Sequence, residues 1–167
     1  WCRLGFPLDD LMGEVQALVF TLLATPAAER PAERLSYREV FQRELSIDPF
    51  TASLETLVQA CGELGFRRSA GRDELLDLLM GSRIGPALGR DQLTFVYGYP
   101  ASQAALARLD PHDSAAALRF ELYRGGIELA NGFHELASAA EQRARFEQDR
   151  EERKRRGLPA HAADERL

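Results

Sequence analysis

The sequence predicts an α+β domain, with helices first, an antiparallel β-sheet after them and a long helix at the end. Helix-period apolar patterns and helix-terminus signals fill residues 1–90. β-Branched and aromatic runs broken by turn residues are confined to 91–136. A charged run with a cap at each end occupies 137–157. The 167 residues suit one domain with a real core, and 45% hydrophobic with 28% charged residues is ordinary for a globular protein. A net charge of −5 argues against binding nucleic acid by overall charge. Cys2 and Cys61 stand alone, with neither a CxxC nor a neighbouring His, and are expected to be reduced thiols of a cytoplasmic protein. No apolar run approaches the length of a membrane span.

The elements follow in order. Leu8 to Ala24 carries Leu8, Leu11, Met12, Val15, Leu18, Val19, Leu22 and Leu23 on one broad helical face. TPAAERPAERL then reads as a connector. Ser36 with Glu39 three residues on is a capping box, opening a helix from Tyr37 to about Leu45 that stops before Asp48-Pro49. Thr51 to about Leu64 and residues 71–80 give two more helices, ended by Gly65 and by the stretch from Gly81 to Gly89. Asp9-Asp10 and Asp73-Glu74 are read as first-turn residues favoured by the helix dipole, so nothing in this half is expected to carry chemistry. LTFVYGYP, from Leu93, is the first strand; Leu118 to Tyr123 is the second, and the third starts at Ile127. Ser138 caps the final helix, whose seven basic residues between Arg143 and Arg156 read as a solvated face with Asp149–Arg153 and Glu152–Arg156 pairs. His112 and His161 lack metal-ligand company, and Ser102 has no triad partners at a suggestive spacing.

Chemistry concentrates in RFELYRGGIELANGFHEL, residues 119 to 136. Arg124-Gly125-Gly126 separates two strand-like runs, a strong hairpin signal. If the loop is Arg124-Gly125, Glu121 faces Glu128; if it is Gly125-Gly126, Glu128 faces Tyr123 and Glu121 is its diagonal neighbour. Either register puts both carboxylates on one face. Like charges across a hairpin repel unless water or a cation relieves them, which leaves a solvated face or a Mg²⁺ site as alternatives. Simple alternation points Asn131 away from Glu128, so a pocket holding Glu128, Asn131 and Glu135 requires a bulge or bend, expected near Gly132.

With TFVYGYPASQAALARL before it and EQRARFEQDREERKRRGLP after it, this motif resembles the C-terminal half of the class II lysyl-tRNA synthetase catalytic domain. It is similar in particular to the compact paralogues that attach (R)-β-lysine to a lysine of elongation factor P. Ala104-Ala105-Leu106-Ala107, where synthetases usually carry an SPLA-like sequence, and His134, where bacterial synthetases commonly have Ser, fit the paralogues. The resemblance implies a partial class II catalytic domain over 1–167, with a mostly helical connecting region at 1–90 inserted before the antiparallel core. It implies ATP and Mg²⁺, lysine or (R)-β-lysine as substrate, elongation factor P as acceptor (tRNA-Lys in the alternative) and a homodimer in the full-length protein. Glu121 and Leu122 match ATP contacts, and Glu121 and Glu128 match Mg²⁺ contacts. Glu128, Asn131, Phe133 and Glu135 match the amino-acid pocket. A non-catalytic domain that keeps the acidic pocket is a further alternative.

Trp1 resembles the Trp of an LEWYR segment, with Cys2 at the position of a pocket tyrosine. The resemblance then places the motif 2 arginine before Trp1 and the glycine-rich motif 3 after Leu167. Such sites work by charge neutralisation and positioning, so the 167 residues alone are expected not to form adenylate. Pyrophosphate exchange with the isolated chain should stay at background, and exchange above background would refute this.

Overall fold

The computed structural model describes residues 1–23, 31–67 and 70–159. The expected end of the first helix at Ala24, the first part of the connector (25–30) and His161 lie outside the described residues. The chain divides into two units, Trp1–His134 and Glu135–Leu167.

The first unit holds α1 (Leu8–Leu22), β1 (Glu33–Ser36), α2 (Tyr37–Leu45), α3 (Leu54–Cys61), α4 (Arg72–Leu79), β2 (Thr94–Pro100), β3 (Ala116–Arg124) and β4 (Ile127–Phe133). The strands form one sheet in the order β1-β2-β3-β4. β2, β3 and β4 are antiparallel, as expected, and β1 adds a parallel edge beside β2. β1 falls largely within the stretch expected to be a connector. ERLS is too short to show a period, and its partners Thr94 to Tyr97 are remote in the chain.

Strand alternation sorts the core into two layers. On one face Phe95, Phe120 and Leu122 pack against Met12, Val15 and Phe20 of α1, with Phe95 and Phe120 edge to face at 5.4 Å. On the other face Val96, Tyr99 and Tyr123 pack beneath α2, α3 and α4 through Tyr37, Phe41, Leu57, Leu75 and Leu79. The buried side of α1 is narrower than its apolar stripe, for Leu18 and Leu22 stay exposed while Phe20 turns inward.

Local chemistry sets the helix ends. Ser36 Oγ accepts from the Glu39 amide at 3.1 Å and Glu39 accepts from the Ser36 amide at 2.6 Å, completing the expected box. α3 starts three residues later than expected because Ser53 caps it, accepting from the Thr56 amide. At the head of α4 the Gly71 amide donates to Glu74, and Arg72 reaches back to the carbonyls of Pro49 and Ala52, both at 2.6 Å. α4 then runs into a π-turn, Met80–Ile84, and a 3-10 turn, Gly85–Ala87.

That turn carries the hairpin tip. Gly125 and Gly126 both adopt positive φ, and their amides donate to the Gly89 and Leu88 carbonyls at 2.7 and 2.8 Å. Gly89 has φ +67°, and a Cβ there would lie 2.5 Å from both the Arg124 Cα and the Tyr123 carbonyl oxygen. Neither backbone can yield without moving β3.

In the second unit Ser138 accepts from the Glu141 amide and opens α5 (Ala139–Arg155), which has no buried residue. Ion pairs along it include Arg145–Glu141, Arg150–Glu147 and Arg155–Glu152, the pattern of a solvated helix. No helix among the described residues is long and apolar enough to cross a membrane.

Gly89→Ala is expected to cost more than about 2 kcal/mol, combining a left-handed backbone with a main-chain clash. Thermal unfolding should show its midpoint lowered by roughly 5 °C or more. Gly65→Ala, whose methyl meets nothing within 4 Å, should leave the midpoint nearly unchanged. Equal midpoints for the two variants would show that the tip does not rest on Gly89.

Candidate functional site

Beside the turn, Arg124 pairs with Ile127 and Tyr123 with Glu128. This is the register expected for a Gly125-Gly126 loop. The count then slips by one residue: Leu122 pairs with Ala130, Glu121 with Asn131, Phe120 with Gly132 and Arg119 with Phe133. Leu129 is the extra residue of a β-bulge. The bulge brings Asn131 onto the face that carries Glu128, because one residue, Leu129, lies between Glu128 and Ala130 while their partners Tyr123 and Leu122 are adjacent.

The irregularity therefore lies at Leu129 rather than near Gly132. Gly132 is instead a regular strand position with the Phe120 ring lying over it, so close that an added Cβ would sit 2.4 Å from Phe120 Cζ. Asn131-Gly132, expected to turn the chain, stays extended because that ring needs a partner without a side chain.

One sheet face thus presents Arg119, Glu121 and Tyr123 from β3 opposite Phe133, Asn131 and Glu128 from β4. Glu121 is only 7% exposed. A lone carboxylate buried this way would be strongly disfavoured, and each of its oxygens accepts a hydrogen bond. Arg119 Nη2 donates to Oε1 at 2.6 Å and the Tyr123 hydroxyl donates to Oε2 at 2.5 Å. Arg119 Nη1 donates to the Gln103 carbonyl at 2.9 Å, and the guanidinium lies 4.5 Å from the Tyr99 ring centroid.

The electrostatics follow from this burial. Burial first, and then the hydrogen bond and charge of Glu121, push the Tyr123 phenol far above its ordinary pKa. Burial and Glu121 do the same to Tyr99, so both hydroxyls stay protonated. Glu128 is largely open to solvent at the sheet edge, yet burial and then the Glu121 charge raise its carboxyl above the usual range, with Arg119 pulling the other way.

Phe133 is half-buried and packs on the small cluster Ala104, Ala107 and Ala117, which includes part of the Ala-rich run after β2. Leu122 departs from its neighbours. Its side chain is fully buried on the α1 face, so toward the Glu121 face it offers main chain alone. Glu135 opens the second unit and is exposed. Among the described residues no group of three or more His, Cys, Asp or Glu is placed to hold a metal. Glu121 and Glu128, expected as Mg²⁺ contacts, lie on the same sheet face.

The groups that hold Glu121 are not among the site residues expected from the sequence. Arg119 and Tyr123 carry a local signal, since each lies two residues from Glu121 in a strand. Tyr99, Gln103 and Asp77 gave no such signal. Asp73, in the first turn of α4 as expected, also accepts from the Ser102 hydroxyl, and Asp77 accepts from the Gln103 side chain, each at 2.8 Å.

Against known proteins, residues 9–163 match the family of tRNA synthetases class II (D, K and N). The elongation factor P--(R)-beta-lysine ligases of Klebsiella pneumoniae (strain 342) and Salmonella paratyphi B are each 44% identical over 171 aligned positions. Those alignments take in the whole of this chain and 51% of each relative, so the chain spans about half the length of the curated relatives it matches. With the family match running from α1 past the end of α5, the chain belongs to the class II tRNA synthetases of the D, K and N group.

Proposed function

We propose that the protein carrying this chain is an ATP-dependent ligase that activates lysine or (R)-β-lysine as its adenylate and transfers the acyl group to a lysine of elongation factor P. The observation that carries this reading is the shared face: Glu121 and Glu128 lie on it by strand alternation, and the Leu129 bulge adds Asn131. The names of the relatives favour a protein acceptor over tRNA.

In the first step a substrate carboxylate oxygen attacks the α-phosphorus of ATP and pyrophosphate leaves. In the second, the acceptor amine attacks the acyl carbon, AMP leaves, and the amine gives up a proton. Glu121 and Glu128 are the residues that would hold Mg²⁺ together with the phosphates, and the ion supplies neutralisation of phosphate charge. Arg119 and Tyr123 hold Glu121 in a single orientation. Glu128 and Asn131 accept from the substrate ammonium, Phe133 walls its methylenes, and the Leu122 main chain borders the nucleotide. Glu135 belongs to this amine-recognising set by its place in the motif.

The acceptor is tested with the full-length protein, offered elongation factor P and tRNA-Lys side by side with ATP and either labelled lysine or labelled β-lysine. Label on elongation factor P is expected. Label on tRNA alone would make the protein a synthetase, and binding without transfer to either would make it a binding domain.

Two consequences concern the amine pocket. Glu128→Gln and Asn131→Ala should each raise KM for the amino acid by roughly 10- to 100-fold, the worth of a hydrogen bond to a charged group. KM should also rise as pH falls, because protonated Glu128 no longer attracts an ammonium. Since the Glu128 carboxyl is raised, that rise should begin above the ordinary carboxylate range and vanish in Glu128→Gln. A pH-independent KM ratio between wild type and Glu128→Gln would remove Glu128 from the pocket.

A further inference from the structure

The polar contacts of Arg119 extend well beyond its ion pair. Its planar fork joins two elements, with one nitrogen on the Glu121 carboxylate and the other on the Gln103 carbonyl. Gln103 ends a 3-10 turn, Ala101–Gln103, that follows β2. α4 grips this turn twice, through Asp73 to Ser102 and through Asp77 to the Gln103 side chain. The arrangement is shielded, for the Arg119 and Glu121 side chains are 18% and 9% exposed. On the far side of Glu121 the Tyr123 hydroxyl closes the remaining oxygen. A continuous chain of contacts therefore runs from the helical half of the unit to the carboxylate at its centre.

We propose that Arg119 is a positioning residue for Glu121, and that α4 sets its position through the Ala101–Gln103 turn. The inference rests on the ligase reading and adds to it a control that lies outside the substrate contacts. An unrestrained Glu side chain samples many rotamers, and ordering it at the moment of reaction raises the barrier. Arg119 removes that freedom beforehand. A lysine would keep the charge, but a single ammonium lacks the rigid fork that meets a carboxylate and a carbonyl in one plane. Gln103 matters for its tie to α4 as well as for its carbonyl, since a loose turn would leave the fork without a fixed anchor.

The test uses pyrophosphate exchange by the full-length protein, with rates divided by the active-site concentration from an adenylate burst. Arg119→Met should lower kcat by about 10- to 100-fold while KM for the amino acid moves less than about threefold, the pattern of an orienting partner. Arg119→Lys should recover only a small part of the loss, and added guanidinium should restore Arg119→Ala in part. Gln103→Ala keeps the carbonyl and cuts the tie to Asp77, and should lower kcat by roughly 3- to 10-fold at an unchanged melting temperature. Unchanged kcat per active site in Arg119→Met, or full activity in Arg119→Lys, would overturn the role of Arg119. Unchanged kcat in Gln103→Ala would overturn the part played by α4. Should Arg119→Met fail to fold, Arg119→Lys and Gln103→Ala decide the matter. Wild type without exchange on lysine or β-lysine would instead overturn the ligase reading, and this proposal with it.

Discussion

A side chain on a β-strand reaches one face of the sheet, and its neighbour reaches the other. That constraint governs what can meet in this molecule. β3 spends Phe120 and Leu122 on the α1 side, and Arg119, Glu121 and Tyr123 on the side that bears the site. β4 must match it residue for residue, and a strict match would place Ala130 opposite Glu121 and send Asn131 to the α1 side. One extra residue, Leu129, changes the match beyond it. Phe120 then meets Gly132, the residue its ring requires, and Glu121 meets Asn131. Packing on the back of the sheet and polar chemistry on the front are satisfied by the same slip.

The front face carries a buried carboxylate, which is stable only in company. Glu121 finds it in Arg119 and Tyr123, with the Arg119 guanidinium lying over the Tyr99 ring. These partners neutralise part of the charge and fix its direction, and Glu128 stays nearer to solvent on the same face. In the proposed ligase this face would receive the cationic end of the substrate. The hairpin tip is fastened to the Gly85–Gly89 region by two backbone hydrogen bonds, so the two carboxylate strands do not hang free.

Much of this was legible in the sequence where the signal is local. The capping box at Ser36 and Glu39, a hairpin turn within Arg124-Gly125-Gly126 and the common face of Glu121 and Glu128 all follow from spacing within a few residues. β1 was not legible, because a four-residue strand is defined by its partner, and Thr94 is 61 residues from Glu33. The need for a bulge was legible and its position was not, since that depends on how the Phe120 ring seats on Gly132. The contact from Arg119 to the Gln103 carbonyl was hidden for the same reason: 16 residues apart, the two meet only once the sheet and α4 have assembled. The motif resemblance supplied roles for Glu121, Glu128 and Asn131, while the packing supplied the reason they can act together.

The bulge is the point on which the site turns, and nuclear Overhauser contacts across β3 and β4 of the 167-residue chain report it most directly. Directly opposed residues of an antiparallel pair lie about 4.5–5.5 Å apart at Cα, close enough for cross-strand backbone contacts to identify the partner. The expected result is Glu121 opposite Asn131 and Phe120 opposite Gly132, with Tyr123 still opposite Glu128. Glu121 opposite Ala130 and Phe120 opposite Asn131 would describe an unbroken ladder, remove Asn131 from the face of Glu121, and contradict the site described above.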